Sequence, residues 1–168
     1  MKLNIGANNT RIKGFKNLDI LPNKNIDIVC DARSLKQFKD NSVAEIVASH
    51  ILEHFSHTET ENILKEWYRI LKPKKTLYLA VPDWDMIAKL YYQIGLNDWL
   101  IKFVYGDQNN KYAYHYTGFN YSNLLFLLDK TGFKEIQKIV NLPYDVHCSN
   151  LIFNFTNENV SLNVKAIK

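Results

Sequence analysis

The sequence predicts an α/β fold, doubly wound around one mostly parallel sheet with helices on both faces. Short apolar segments alternate with helical patterns along most of the chain. The strand segments are apolar through most of their length, as strands covered on both faces are. The 168 residues set the expectation at a single domain, 1–168, large enough to bury its own core.

Leu3-Asn4-Ile5-Gly6 reads as a strand entering a glycine loop. Asn17-Leu18-Asp19-Ile20 and Ile26-Asp27-Ile28-Val29-Cys30 read as strands two and three, each followed by polar or turn-forming residues. A short helix is expected over Arg33 to Phe38. Ala44 to Ser49 is the fourth strand and Thr76 to Val81 the fifth, stopped by Pro82. Between these two, Ile63, Leu64, Trp67, Ile70 and Leu71 form one apolar face of a helix over Thr58 to Leu71. Ser56 with Glu59, or Thr58 with Glu61, supplies a capping-box start, and Pro73 a stop. Ile87, Leu90, Tyr91 and Ile94 mark a helix ended by Gly95. Tyr121 to Lys130 is another, closed by Gly132 at the C′ position. Phe133 to Val140 and Asn150 to Thr156 are expected to pair as the last strands.

Composition excludes several classes. With 46% hydrophobic and 23% charged residues the chain is neither disordered nor fibrous. Its longest apolar run, Leu124 to Leu128, is far too short to span a bilayer. Met1-Lys2-Leu3-Asn4 turns polar too soon for a signal peptide, so a cytoplasmic location is expected. Cys30 and Cys148 have no metal-ligand spacing and imply no disulfide framework. The net charge of +4 is spread thinly, without the basic stripe of a nucleic-acid surface.

In parallel α/β sheets ligands sit beyond the carboxyl ends of the strands. Strand one ends at Gly6, with Ala7, Asn8 and Asn9 in the loop; strand two carries Asp19, strand three precedes Asp31, and strand four runs into Ser49-His50. Glycine lets a loop backbone approach a ligand. An acidic residue ending strand two suits the two hydroxyls of a ribose, and one after strand three suits an exocyclic amine. Their recurrence at successive strand ends points to a nucleoside. Asp19 lies only 13 residues beyond Gly6, which shortens the first crossover and leaves no room for a normal helix. NAD and FAD rest their pyrophosphate on such a helix and are disfavoured. S-adenosylmethionine does not need that helix end.

Five stretches carry a family resemblance: Leu3-Asn4-Ile5-Gly6-Ala7-Asn8-Asn9, Gly14-Phe15-Lys16-Asn17-Leu18-Asp19-Ile20, Ala48-Ser49-His50-Ile51-Leu52-Glu53-His54-Phe55, Glu66-Trp67-Tyr68-Arg69-Ile70-Leu71-Lys72-Pro73 and Val81-Pro82-Asp83. Together they resemble class I S-adenosylmethionine-dependent methyltransferases, closest to small bacterial members associated with sugar or cell-envelope pathways. The resemblance implies a Rossmann-like seven-stranded sheet whose last strand is antiparallel. It implies that Gly6, Ala7 and Asn8 meet the methionine portion of the cofactor, Asp19 with Ile20 the ribose, and Asp31 with Ala32 the adenine. Ser49, His50 and Leu52 then border the sulfonium and the acceptor. Asn8 stands where the family usually has a second glycine, and Lys74-Lys75 where it has Gly-Gly.

The expected activity is methyl transfer to a small acceptor, with a sugar or cell-envelope precursor as the expected class. His50 is the first choice of base for an acceptor hydroxyl, with His115 and His54 as second choices. The aromatic stretch within residues 83–119, with Tyr105, Tyr112, Tyr114, Tyr116 and Phe119, is expected to lie over the open sheet end as an acceptor pocket. Trp84 is expected in the core at a helix start or as a wall of the cofactor pocket. Two alternatives stand beside this. One is a methyltransferase fold retained as a binding module, motivated by Asn8. The other is a zinc hydrolase using the pattern His50-x-x-Glu53-His54, although no metal is assigned in the main reading.

Overall fold

The computed structural model describes residues 1–146 and 159–168. Seven strands form one sheet: β1 (Lys2–Ile5), β2 (Lys16–Asp19), β3 (Ile28–Val29), β4 (Val43–Ser49), β5 (Leu71–Pro82), β6 (Lys134–Ile139) and β7 (Ser161–Ile167). Four helices accompany them: α1 (Thr60–Ile70), α2 (Trp84–Ile94), α3 (Asp98–Tyr105) and α4 (Tyr121–Lys130). The strand order is β3-β2-β1-β4-β5-β7-β6. The first five strands run parallel, and β7 lies antiparallel to both β5 and β6. Strand order reverses between β1 and β4, which opens a crevice at their carboxyl ends.

One face of the sheet packs against helices. Leu3, Ile5, Ile46, Ala48, Leu77, Leu79, Val81, Leu162 and Val164 meet Ile63, Leu64, Trp67 and Ile70 of α1 and Leu124 and Leu128 of α4. The positions on α1 follow the i, i+3, i+4 spacing of an amphipathic helix. Glu59 reaches back to the Ser56 amide at 3.2 Å, forming half of the expected capping box. The other face carries unlike material. Among the described residues, Val47 and Ala80 are covered by Ile12, Phe15, Leu142 and Val146, all in turns and loops, so the expected helices on this face are replaced there by connecting segments.

The first crossover is indeed short and holds no helix. Buried asparagines order it instead. The Asn17 amide donates to the carbonyls of Thr10 at 2.8 Å and Asn25 at 2.9 Å, and Asn4 donates to Asn17 Oδ1 at 3.2 Å. These side chains satisfy loop carbonyls that a helix would have paired internally.

Two further expectations, a helix over Arg33 to Phe38 and a core or pocket-wall place for Trp84, need correction. Arg33 to Phe38 forms turns, not a helix, because the Arg69 guanidinium takes the carbonyls of Leu35 at 3.2 Å and Phe38 at 2.9 Å. The helix expected to end at Gly95 is α2, with Ile87 and Leu90 buried and Tyr91 and Ile94 outward, but Trp84 at its start is exposed, covers Gly118 and lies neither in the core nor on the cavity wall. The strand beside β5 is Ser161–Ile167; the expected Asn150 to Thr156 lies outside the described residues.

Lys74, where the resemblance has glycine, adopts φ 61°. A side chain there carries about 1–2 kcal/mol of left-handed strain. Lys74→Gly is therefore expected to raise the unfolding free energy by about 1 kcal/mol, the gain being trimmed by glycine's extra unfolded-state entropy. Denaturant titration measures it, and an unchanged or lower midpoint would contradict the strain.

Candidate active site

A cavity of about 910 Å³ opens at the carboxyl ends of β1, β2 and β4. Gly6, Asn8, Asp19, Ile20, Asp31, Ala32, Ser49, His50, His54 and His115 all line it. Ala7 is buried within its loop, and Leu52 lies fully in the core beneath the strand ends; neither reaches the cavity wall.

The loop after β1 is built for close approach. Gly6 has φ 70°, and its amide donates to the Leu18 carbonyl at 2.9 Å. A Cβ at this position would meet Ile51 Cδ1 at 2.6 Å and Ile51 Cβ at 2.8 Å. Gly6→Ala combines left-handed strain with a clash, so a loss of about 2–4 kcal/mol in unfolding free energy is expected. Chemical denaturation would test this; a loss below about 1 kcal/mol means that Ile51 yields freely. Asn8 takes φ 46°, a conformation that asparagine tolerates, so the departure from glycine leaves the loop turn intact.

Asp19 ties this loop to β2. Its Oδ2 accepts from the Asn8 amide at 2.8 Å and its Oδ1 from the Leu21 amide at 3.0 Å. Each carboxylate oxygen keeps a second lone pair for a ligand hydroxyl. Asp31 accepts from the Arg33 amide at 2.9 Å and pairs with the Arg33 guanidinium at 3.3 Å. Arg33 in turn stacks its guanidinium over Phe55.

Three histidines gather on the opposite side of the cavity. His50 directly follows β4 with φ 50°, its amide held by the Ala80 carbonyl at 2.9 Å. Its Nδ1 lies 3.0 Å from Glu53 Oε1 and its Nε2 lies 2.9 Å from Ser161 Oγ. Leu52–His54 make a single 3₁₀ turn rather than a helix. The His50-x-x-Glu53-His54 pattern is therefore not displayed from one helical face, which removes the geometry that the hydrolase reading requires. Burial pushes the Glu53 carboxyl up, but His50, then His54 and His115, outweigh it and hold it below the ordinary carboxylate range. Burial lowers the His115 imidazole below its ordinary value, against the pull of Glu53.

The segment after β5 supplies the remaining wall. Trp99, Lys102, Phe103, Tyr112, His115 and Tyr116 line the cavity, with the Trp99 and Phe103 rings stacked at 5.1 Å. Phe119 is buried in the core, while Tyr105 and Tyr114 are exposed and do not line the cavity. The strap from 113 to 117 is fastened to the 3₁₀ turn: the amides of Tyr116 and Thr117 donate to the Glu53 carbonyl, and Thr117 Oγ1 donates to the Phe55 carbonyl at 2.7 Å. Sequence reasoning missed α3, which places Trp99, Lys102 and Phe103. Its signals were present in Asn97, whose side chain caps Leu100 at 3.0 Å, and in Gly106 at the other end.

Residues 9–79 match the model of a family described as a methyltransferase domain. Solved structures share the fold. A SAM-dependent methyltransferase from Methanosarcina mazei superposes with TM-score 0.63 at 23% identity, over 99% of this chain and 91% of the other. One from Archaeoglobus fulgidus gives TM-score 0.60 at 15% identity, over 92% and 76%. The Burkholderia thailandensis 1,6-didemethyltoxoflavin-N1-methyltransferase, solved with its substrate and S-adenosylhomocysteine, gives 0.62 at 13% identity, over 99% and 69%. No match is found among curated protein sequences. The chain has the class I S-adenosylmethionine-dependent methyltransferase fold. The solved structures that share this fold from Methanosarcina mazei and Archaeoglobus fulgidus are described as SAM-dependent methyltransferases. Among the described residues no helix is long and apolar enough to cross a membrane.

Proposed function

We propose that the protein transfers a methyl group from S-adenosylmethionine to a hydroxyl or amine on a small, sugar-like acceptor. The observation that carries this is the convergence of Gly6, Asp19, Asp31 and His50 from four successive strand ends on one cavity. A volume of about 910 Å³ lies at the upper end for small-molecule sites and leaves room for an acceptor beside a nucleoside. Gly6 lacks the Cβ that would close the approach over β1. Free lone pairs on Asp19 suit ribose hydroxyls, and the small side chains of Cys30 and Ala32 beside Asp31 suit a flat base. The helix-free loop after β1 offers no helix N-terminus for a pyrophosphate, which argues against NAD.

When bound, the cofactor supplies an electrophilic methyl on a positively charged sulfur. The chain's own task is to align the acceptor and to take its proton. Phe103, Tyr112 and Tyr116, interleaved with Lys102, Asn109 and Asn110, give ring faces and polar tips suited to a sugar. The Glu53 carboxylate, 3.0 Å from His50 Nδ1, disfavours a lone pair there and so favours the His50 tautomer with its proton on Nδ1. Nε2 then holds the lone pair, met by the Ser161 hydroxyl, and an acceptor hydroxyl replacing Ser161 as donor hands its proton there.

Calorimetric titration with S-adenosylhomocysteine, with NAD as control, tests the reading. Micromolar binding of the first and none of the second is expected, followed by methylation in a screen of nucleotide sugars. Failure to bind S-adenosylhomocysteine at millimolar concentration would instead favour a fold kept without its chemistry.

A further inference from the structure

Glu53 is fully buried, yet neither carboxylate oxygen receives a well-aimed hydrogen bond. Oε1 lies 3.0 Å from His50 Nδ1, an ion-pair contact that does not complete a hydrogen bond. A buried carboxylate in this condition calls for a positive partner. Two more imidazoles stand against it, and both are oriented from behind. His54 Nδ1 lies 3.0 Å from the Tyr114 carbonyl, and His115 Nδ1 lies 3.1 Å from the Phe103 carbonyl. A carbonyl can only accept, so each Nδ1 carries the proton and each Nε2 holds a lone pair. Backbone carbonyls fix metal-ligating histidines in this way. The two rings meet edge to face with centroids 4.7 Å apart. One donor atom from each of Glu53, His54 and His115 lies within 4.8 Å of the other two. A common ion at about 2.1 Å from each would require the three donor atoms to draw closer together by side-chain rotation.

We propose that Glu53, His54 and His115 hold one divalent transition-metal ion, zinc by preference, at the edge of the cavity. Two imidazoles and a carboxylate are the ligand set of three-ligand sites that keep an open position for another molecule. His54 and His115 both line the cavity, so the open position faces it. The ligands are not those suggested by the His50-x-x-Glu53-His54 spacing. His50 turns its Nε2 to Ser161 and stays outside the set, and the third ligand comes from the distant strap. The assignment removes His54 and His115 as bases and leaves His50 for the acceptor's proton. On the methyl-transfer reading, on which this last step rests, the ion selects acceptors that coordinate through an oxygen or nitrogen lone pair.

The test uses the full chain, stripped with chelator and dialysed. Titration with Zn²⁺ by calorimetry, and with Co²⁺ by visible absorption, is expected to give one ion per chain at micromolar affinity or tighter. Glu53→Gln and His115→Ala are each expected to weaken binding by about 100-fold or more, since loss of an outer-shell partner alone costs 10–100-fold. His57→Ala, at an exposed neighbour, leaves it unchanged. Absence of stoichiometric binding overturns the site, as does binding that survives both ligand variants. Circular dichroism verifies each fold; if Glu53→Gln does not fold, His115→Ala decides. S-adenosylhomocysteine titrations on the same samples separate the two readings. Cofactor binding without metal binding overturns the metal site alone, and metal binding without cofactor binding overturns the methyltransferase reading alone.

Discussion

Asp19→Ala is expected to weaken S-adenosylhomocysteine binding by about 100-fold or more while leaving the protein folded. Hydrogen bonds to a charged group are worth about 1.5–3 kcal/mol each, and about 2.7 kcal/mol is a hundredfold in affinity. The same carboxylate holds the Asn8 and Leu21 amides, so its removal also frees the loop that Gly6 begins. Both amides lie at the exposed rim, where water can replace the lost acceptor, so the melting temperature should move little. Asp19→Asn separates the two contributions. It keeps one oxygen but cannot accept from both amides as a carboxylate does, and an intermediate affinity is expected. Calorimetric dissociation constants for the three proteins decide the matter. An Asp19→Ala value within threefold of the parent would remove Asp19 from the cofactor site.

Legibility in the sequence followed how local each determinant is. The strand ends were readable because each is an apolar run closed by a residue of distinct chemistry, and Gly6, Asp19, Asp31 and His50 all reach the cavity. Strand β7 was not, because Ser161, Asn163 and Lys165 alternate with Leu162, Val164 and Ala166. Only the second set packs on the helical side. A rule that seeks continuous apolar runs passes over such a strand. Residues 33–38 imitate a helix through Leu35 and Phe38, both buried, but the deciding group is a guanidinium on α1. The meeting of His54 with His115 was invisible for the same reason. It depends on the 113–117 strap binding back to the Glu53 and Phe55 carbonyls, a contact that no spacing rule encodes. Local pattern thus gave the scaffold and one side of the cavity, whereas the histidine cluster is a product of tertiary hydrogen bonding.

His50→Ala is expected to lower turnover by about 10²–10⁴-fold with little change in S-adenosylhomocysteine affinity, provided that the acceptor is a hydroxyl. The side chain is only 9% exposed and is held at both ring nitrogens, so its loss removes a positioned lone pair rather than a mobile group. Alanine tolerates φ 50° somewhat less well than histidine, so the variant's fold is verified by its melting temperature. His50→Asn, which tolerates that conformation better, provides a check: it should be at least as stable as the parent backbone allows, yet just as slow. An amine acceptor that arrives neutral needs less help from a base, and its turnover should fall much less. The comparison of kcat for hydroxyl and amine acceptors, alongside the dissociation constant for S-adenosylhomocysteine, therefore reads out proton transfer separately from cofactor binding. Turnover of a hydroxyl acceptor within a few-fold of the parent, with the variant folded, would mean that His50 shapes the end of β4 without taking the proton.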